Sequence, residues 1–174
     1  SRPLNLTLFP LDITERHVLP PTTVHTLLAP HLDSESPLAH WVSAFMTSTF
    51  AKIASLRHNN NSNTDNPSQS PEAPGFQLHD PLCIWYCLTA PGDPRWRLSP
   101  AADLRVEPAG QWTRGMCVVD LRTRRRRSDD DWHEAPGDSG AWLAKAAGNR
   151  IRWCVASPGE EIFGQYMLER IFAP

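Results

Sequence analysis

The chain has 174 residues, of which 40% are hydrophobic and 21% are charged, a composition typical of a globular protein with room for a core. Its 17 basic and 19 acidic residues give a net charge of -2, which argues against nucleic acid or an anionic membrane as a partner. No apolar run approaches the roughly 18 residues of a membrane span and no secretion signal opens the sequence, so a single cytoplasmic domain is expected over residues 1–174.

The first half of the chain predicts a strand followed by three helices. An alternating run at 4–9 is typical of a short strand. Helices are expected from 20–23 onward and over 37–56, because their apolar residues recur with a period near 3.6. Residues 58–74 are rich in Asn, Ser and Pro, which predicts a disordered insertion. A third helix is expected to follow over 80–88.

The second half predicts strands and one further helix. Residues 104–107 and 116–121 are strand-like, and the Pro-Ala-Gly sequence between them favours a β-hairpin. After a charged loop at 122–148, a third strand is predicted at 150–156 and an amphipathic helix at 160–172. Strands and helices mixed in this order predict an α/β fold.

The four cysteines do not form a recognisable metal motif. Cys83 and Cys87 share one face of a predicted helix, whereas Cys117 and Cys154 lie far from them in sequence. Structural zinc sites need four ligands, typically in close pairs. We therefore expect buried, reduced thiols.

Three aromatic residues lie at helical spacing in the second predicted helix. Trp41, Phe45 and Phe50 could stack on a nucleobase, but their spacing favours packing in the core.

His79 and Asp80 combine a titratable imidazole and a carboxylate at the start of the third predicted helix. Asp80 is expected to cap this helix, with Pro81 at the first helical position. The positive end of a helix favours a charged carboxylate, and a charged carboxylate is what a hard cation requires. A capping Asp beside an incidental surface His would give the same letters.

Several short motifs occur in an informative order. They are Phe9-Pro10-Leu11-Asp12-Ile13-Thr14, Leu78-His79-Asp80-Pro81-Leu82, Val106-Glu107 and Thr113-Arg114-Gly115-Met116-Cys117-Val118-Val119-Asp120. From residue 4 to residue 120, this order resembles the inosine/uridine-preferring nucleoside hydrolases, and the last helix resembles them more weakly.

The resemblance implies an open, mainly parallel α/β sheet with flanking helices, which hydrolyses the N-glycosidic bond of ribonucleosides in purine and pyrimidine salvage. It also implies a bound calcium ion, with Asp80 as a ligand, and His79 as the group that protonates the departing base. Bond cleavage builds negative charge on the base, which a proton donor stabilises. Asp12 and Thr14 could shape the sugar site, although a structural turn explains them better.

The sequence also departs from the family. The Asp-rich motif D-x-D-x-G-x-D-D, which supplies most calcium ligands and the base that activates water, has no counterpart here, and neither does the Asn- and Glu-containing ribose-binding segment. Because calcium takes about six to eight oxygen ligands, Asp80 alone cannot make a tight site. The chain opens at Ser1 without an initiator Met, so we expect the C-terminal part of such a hydrolase, inactive alone and associated as a homo-oligomer through an exposed sheet edge.

Three other hypotheses stay open. A truncated hydrolase fold could serve as a non-catalytic interaction or regulatory partner. Gly137-Asp138-Ser139-Gly140 resembles the nucleophile segment of chymotrypsin-like serine proteases, although His133 is too close in sequence to be the usual partner. The Arg run at 122–127 could bind nucleic acid, but the aspartates at 129–131 favour a solvated loop.

Overall fold

A computed structural model gives the fold of residues 4–61, 75–121, 136–144 and 148–172. The chain divides into two compact units, one comprising Ser1–Leu8 with Leu98–Val155 and the other Phe9–Arg97 with Ala156–Pro174. A single domain over residues 1–174 stays a prediction. The Arg run, His133 and residues 62–74 of the expected insertion lie outside the described residues.

The described chain alternates short strands with helices. In chain order the elements are β1 (Thr7–Leu8), α1 (Leu11–Thr14), β2 (Val18–Leu19), α2 (Pro21–Asp33), α3 (Pro37–Asn61), β3 (Phe76–Gln77), α4 (His79–Thr89), β4 (Arg97–Leu98), β5 (Leu104–Val106), β6 (Cys117–Val119), β7 (Arg152–Ala156) and α5 (Glu160–Phe172). None of these helices is long and apolar enough to cross a bilayer. The α/β class is confirmed.

The strands pair in three small sheets, ordered β1-β7-β4, β2-β3 and β5-β6. Strands β1 and β7 are parallel, with Leu8 opposite Trp153, whereas β2-β3 and β5-β6 are antiparallel. The β5-β6 pair is the expected hairpin, with Leu104 opposite Val119. Sheets this small and mostly antiparallel do not form an open, mainly parallel sheet within the described residues, so that finer expectation stays a prediction.

A charged network stabilises the unit that contains the hairpin. Arg105 donates through Nε and Nη2 to Asp103 Oδ2 at 2.8 and 2.6 Å, and its guanidinium lies 3.9 Å from the centre of the Trp142 ring. Asn149 accepts from the Leu104 amide at 2.8 Å and donates to the Leu104 carbonyl at 2.6 Å. These contacts fix the segments around residues 142 and 149 against β5.

Aromatic packing forms the core of the other unit. The Trp85 ring stacks on Phe163 with centroids 4.6 Å apart and meets Trp96 edge to face at 5.0 Å. Helix α5 packs against β2, α2 and α4, and Gly164 allows the close approach, since a Cβ there would lie 2.9 Å from a methyl of Leu19. The core therefore depends on α5, the last element of the chain.

Helix α3 differs from its prediction in length and in the face that it buries. It extends to Asn61, four residues into the expected insertion. Trp41 and Phe45 are 65% and 50% exposed and stack on each other with centroids 5.6 Å apart, while Ala39 and Met46 are buried. The prediction that these two aromatics pack in the core was wrong, because helical spacing shows which residues share a face and not whether that face is covered.

The expected burial of the thiols was also wrong for three of the four cysteines. Cys83, Cys87 and Cys117 are exposed, and Cys154 is buried. In α4, Leu82 and Trp85 face the core, so the face that carries Cys83 and Cys87 points to solvent. The two cysteines share a face as predicted, on the opposite side from the core.

Candidate functional site

The first turn of α4 carries His79 and Asp80. The helix begins at His79, two residues before the predicted first helical residue Pro81, and Leu78 occupies the N-cap position without a side-chain hydrogen bond. Asp80 therefore is not the cap, and Pro81 is not the first helical residue. Asp80 is exposed in the first turn of the helix, and His79 is half-buried.

His79 is held between two polar side chains. Its Nδ1 lies 2.9 Å from Thr14 Oγ1, and its Nε2 lies 3.3 Å from Gln77 Oε1. In the neutral ring Nε2 donates to this amide oxygen, which only accepts, and Nδ1 accepts from the Thr14 hydroxyl. Thr14 is only 3% exposed, which fixes its hydroxyl behind the ring. Two motifs separated by 65 residues thus meet at one imidazole.

The position of Thr14 depends on α1. Two backbone hydrogen bonds to the Pro10 carbonyl, from Ile13 at 3.0 Å and Thr14 at 3.1 Å, wind residues 11–14 into one helical turn. That turn buries Ile13 and Thr14 and leaves Asp12 exposed. The Thr14 side chain accordingly faces α4, whereas the Asp12 side chain does not contribute to the hydrogen bonds of His79.

The described residues do not by themselves suit a calcium ion. No group of three or more His, Cys, Asp or Glu side chains that could hold a metal occurs in the part of the chain that the structure describes. Glu107, in another matching motif, accepts from the amides of Ala109 and Gly110 at 2.8 and 3.0 Å and so closes the hairpin turn. Asp80 could offer one carboxylate, well short of the ligands that calcium requires.

The Gly-Asp-Ser-Gly segment forms a turn. Asp138 is buried, and its Oδ2 accepts from the Leu143 amide at 3.0 Å, while Ser139 is exposed. Gly140 has a φ of +82°, a conformation that side chains rarely adopt. These glycine and aspartate positions are therefore explained by the turn, and the protease hypothesis stays an untested prediction with His133 outside the described residues.

A second histidine, which the sequence did not single out, lies in the unit that contains His79. His17 is completely buried, with Nδ1 2.8 Å from the Ile13 carbonyl oxygen and Nε2 2.8 Å from Ser157 Oγ. The carbonyl only accepts, so Nδ1 carries the proton and Nε2 accepts from the Ser157 hydroxyl. The two side chains are 140 residues apart in sequence, and no local motif indicates that they meet.

Burial sets the charge state of His17. The pKa of His17 is lowered mainly by burial; the hydrogen bond to Ile13 and the charge of Glu160 oppose this shift, and the charge of Arg16 adds to it. The rings of Trp85 and Phe163 lie with their centres 6.2 and 6.1 Å from the imidazole. The imidazole is therefore neutral at neutral pH.

Comparison of the chain with models of known protein families and with curated protein sequences finds no match.

Proposed function

We propose that this chain supplies the C-terminal part of a calcium-dependent ribonucleoside hydrolase in which His79 protonates the departing base. The observation that supports the proposal is the hydrogen bond of 2.9 Å between Thr14 and His79. It links two segments whose sequences separately resemble this enzyme family. The complete fold would be the open, mainly parallel sheet that the resemblance implies.

The hydrogen bonds of His79 suit a proton donor. To act as an acid the ring must be protonated on both nitrogens: Nδ1 then donates to Thr14 Oγ1, Nε2 carries the proton that is transferred, and the half-buried ring is accessible from solvent. Gln77 accepts that proton over a long 3.3 Å, a contact that an incoming base could replace. Protonation of a leaving group by a positioned side chain typically accelerates a reaction by about 10²–10⁴-fold.

Calcium binding would require residues that the described chain does not bring together. Asp80 would contribute one carboxylate, and the remaining ligands and the base that activates water would come from an acidic segment outside this sequence. The chain alone is therefore proposed to be inactive. We further propose that the protein is cytoplasmic, that it forms a homo-oligomer, and that its substrate is a purine or pyrimidine ribonucleoside.

The test is complementation. The N-terminal part of a nucleoside hydrolase that carries the acidic motif is fused ahead of Ser1, and release of base from inosine and uridine is measured with calcium or with chelator. We expect no turnover by the chain alone and chelator-sensitive turnover by the fusion. In the fusion, Asp80→Asn should abolish the calcium binding that calorimetry measures. The control Asp33→Asn, at an exposed carboxylate in α2, should leave that binding unchanged.

The same fusion distinguishes the role of His79 from that of Asp80. His79→Gln should lower kcat about a hundredfold while calcium affinity is kept, and His25→Gln, at an exposed histidine in α2, should change neither. Calcium affinity that is unchanged by Asp80→Asn would refute the metal role, and a kcat unchanged by His79→Gln would refute the acid role.

A non-catalytic binding partner is the second candidate. The outward face of α4 presents four exposed residues without a charge among them, Cys83, Ile84, Cys87 and Leu88. Contiguous apolar surface of this kind is typical of protein interfaces. If the fused protein folds but binds no calcium and hydrolyses no nucleoside, this second function is favoured.

A further inference from the structure

We infer that Ser157 is a nucleophile with His17 as its general base, and that this pair accepts an acyl group from small activated esters. The inferred activity is distinct from nucleoside hydrolysis and uses neither His79 nor Asp80. It rests on a continuous chain of hydrogen bonds from the Ile13 carbonyl through the His17 ring to the Ser157 hydroxyl, with both links at 2.8 Å.

The donors and acceptors in these hydrogen bonds point in the direction that activation of a serine requires. The Ile13 carbonyl accepts from Nδ1 and fixes the tautomer, so that Nε2 presents its lone pair to the hydroxyl. In a Ser-His-Asp triad the carboxylate has this orienting role. Here a neutral carbonyl replaces the carboxylate, so the base is oriented but gains less electrostatic support when it becomes protonated.

Ser157 is placed at the surface end of this chain. It follows β7, which ends at Ala156, and precedes α5, which begins at Glu160. The serine is half-buried, whereas His17 behind it is completely buried. A small reagent can therefore reach the hydroxyl, and the base lies directly behind it.

The surroundings of His17 favour the neutral base at neutral pH. The aromatic rings of Trp85 and Phe163 flank the imidazole, and the charged groups that act on it are Glu160 and Arg16, which form an ion pair with each other. The two charges shift its pKa in opposite directions, and burial leaves it lowered. Because its pKa is lowered from the ordinary value, the ring is unprotonated at neutral pH and can accept the proton of the serine.

The proposed step is an acyl transfer. Ser157 Oγ attacks the ester carbonyl carbon as its proton passes to His17 Nε2, the bond from carbon to the leaving oxygen breaks, and the leaving alcohol takes that proton from Nε2. Water then attacks the acyl-serine by the reverse sequence, releasing the acid and restoring the hydroxyl. No oxidant, reductant or metal is required.

The residue after the serine limits the rate of this reaction. In many serine hydrolases the backbone amide of the residue after the nucleophile stabilises the oxyanion, and Pro158 has no amide proton. Removal of one such donor costs about 10²–10³-fold in rate. Covalent labelling with an activated reagent is therefore a sharper readout than ester turnover.

The test uses the purified chain and a fluorophosphonate probe at neutral pH, with the labelled residue identified by peptide mass analysis. We expect one adduct, on Ser157, which is lost in Ser157→Ala and unchanged in Ser43→Ala, at a half-buried serine in α3. Labelling should also be lost in urea, because the pair exists only in the folded chain. His17→Gln should slow labelling about a hundredfold.

A purely structural hydrogen bond predicts different results. If His17 and Ser157 only join two elements, Ser157 should react no faster than Ser43, and this outcome would overturn the inference. Should His17→Gln fail to fold, the pH profile of the natural chain decides instead. Activation requires the labelling rate to fall in mildly acidic solution as His17 takes up a proton, at a pH lower than the ordinary pKa of histidine, whereas a rate independent of pH contradicts a role for His17.

Discussion

Replacing Thr14 by Val tests whether its hydroxyl orients His79. Valine has nearly the same shape, so the substitution removes one hydrogen bond without opening a cavity. The donor is 3% exposed and 2.9 Å from Nδ1, and a hydrogen bond of this kind contributes about 0.5–1.5 kcal/mol to stability. Because His79 is half-buried, water can satisfy part of the lost bond, so we expect a loss of about 1 kcal/mol.

Urea unfolding measures the free energy, and nitrogen chemical shifts of the imidazole report the tautomer directly. In the natural chain Nε2 should carry the proton, and in Thr14→Val the two neutral tautomers should both be populated. Thr26→Val, at an exposed threonine in α2, is the matched control and should change neither quantity. An unchanged tautomer in Thr14→Val would mean that Thr14 does not orient the ring and would remove the main support for the proposed proton donor.

Three further predictions concern stability and thiol chemistry. Leu82→Ala, at a completely buried side chain in α4, should lower the free energy of unfolding by about 2–5 kcal/mol, whereas Leu88→Ala in the same helix, at a 64% exposed side chain, should change it by less than about 0.5 kcal/mol in urea titrations. The pKa of His17 is lowered in the folded state, so as pH falls the unfolded chain binds a proton before the folded chain does. The free energy of unfolding should therefore decrease as pH drops below about 6.5, by at most about 1.4 kcal/mol per pH unit from this residue. Calorimetric stability that does not change with pH in this range would contradict the burial of His17. A thiol reagent should modify the three exposed cysteines in the native chain and reach Cys154 only after unfolding. The pKa of Cys83 is raised, mainly because its sulfur is partly shielded from water and further by the charge of Asp80, so Cys83 should react more slowly at pH 8 than a free cysteine.

The local elements could be predicted well because their causes are local. The helix at 160–172 has the predicted bounds, and the hairpin at 104–119 forms where a turn sequence joins two strand-like segments. The burial of α3 was predicted wrongly in part, since Trp41 and Phe45 have helical spacing but no described element covers them. Helical spacing depends on one segment alone, whereas burial also requires a second segment that covers it.

Local amino-acid patterns were enough to predict the α/β class and the position of most helices and strands. They also singled out His79 and Asp80, on which the nucleoside hydrolase hypothesis rests. That Thr14 meets His79, and that His17 meets Ser157, became visible in the folded chain. The first pair is separated by 65 residues in sequence and the second by 140. Whether such distant side chains meet depends on the path of the backbone between them, and their tautomers depend on neighbouring oxygens; a local sequence pattern encodes neither.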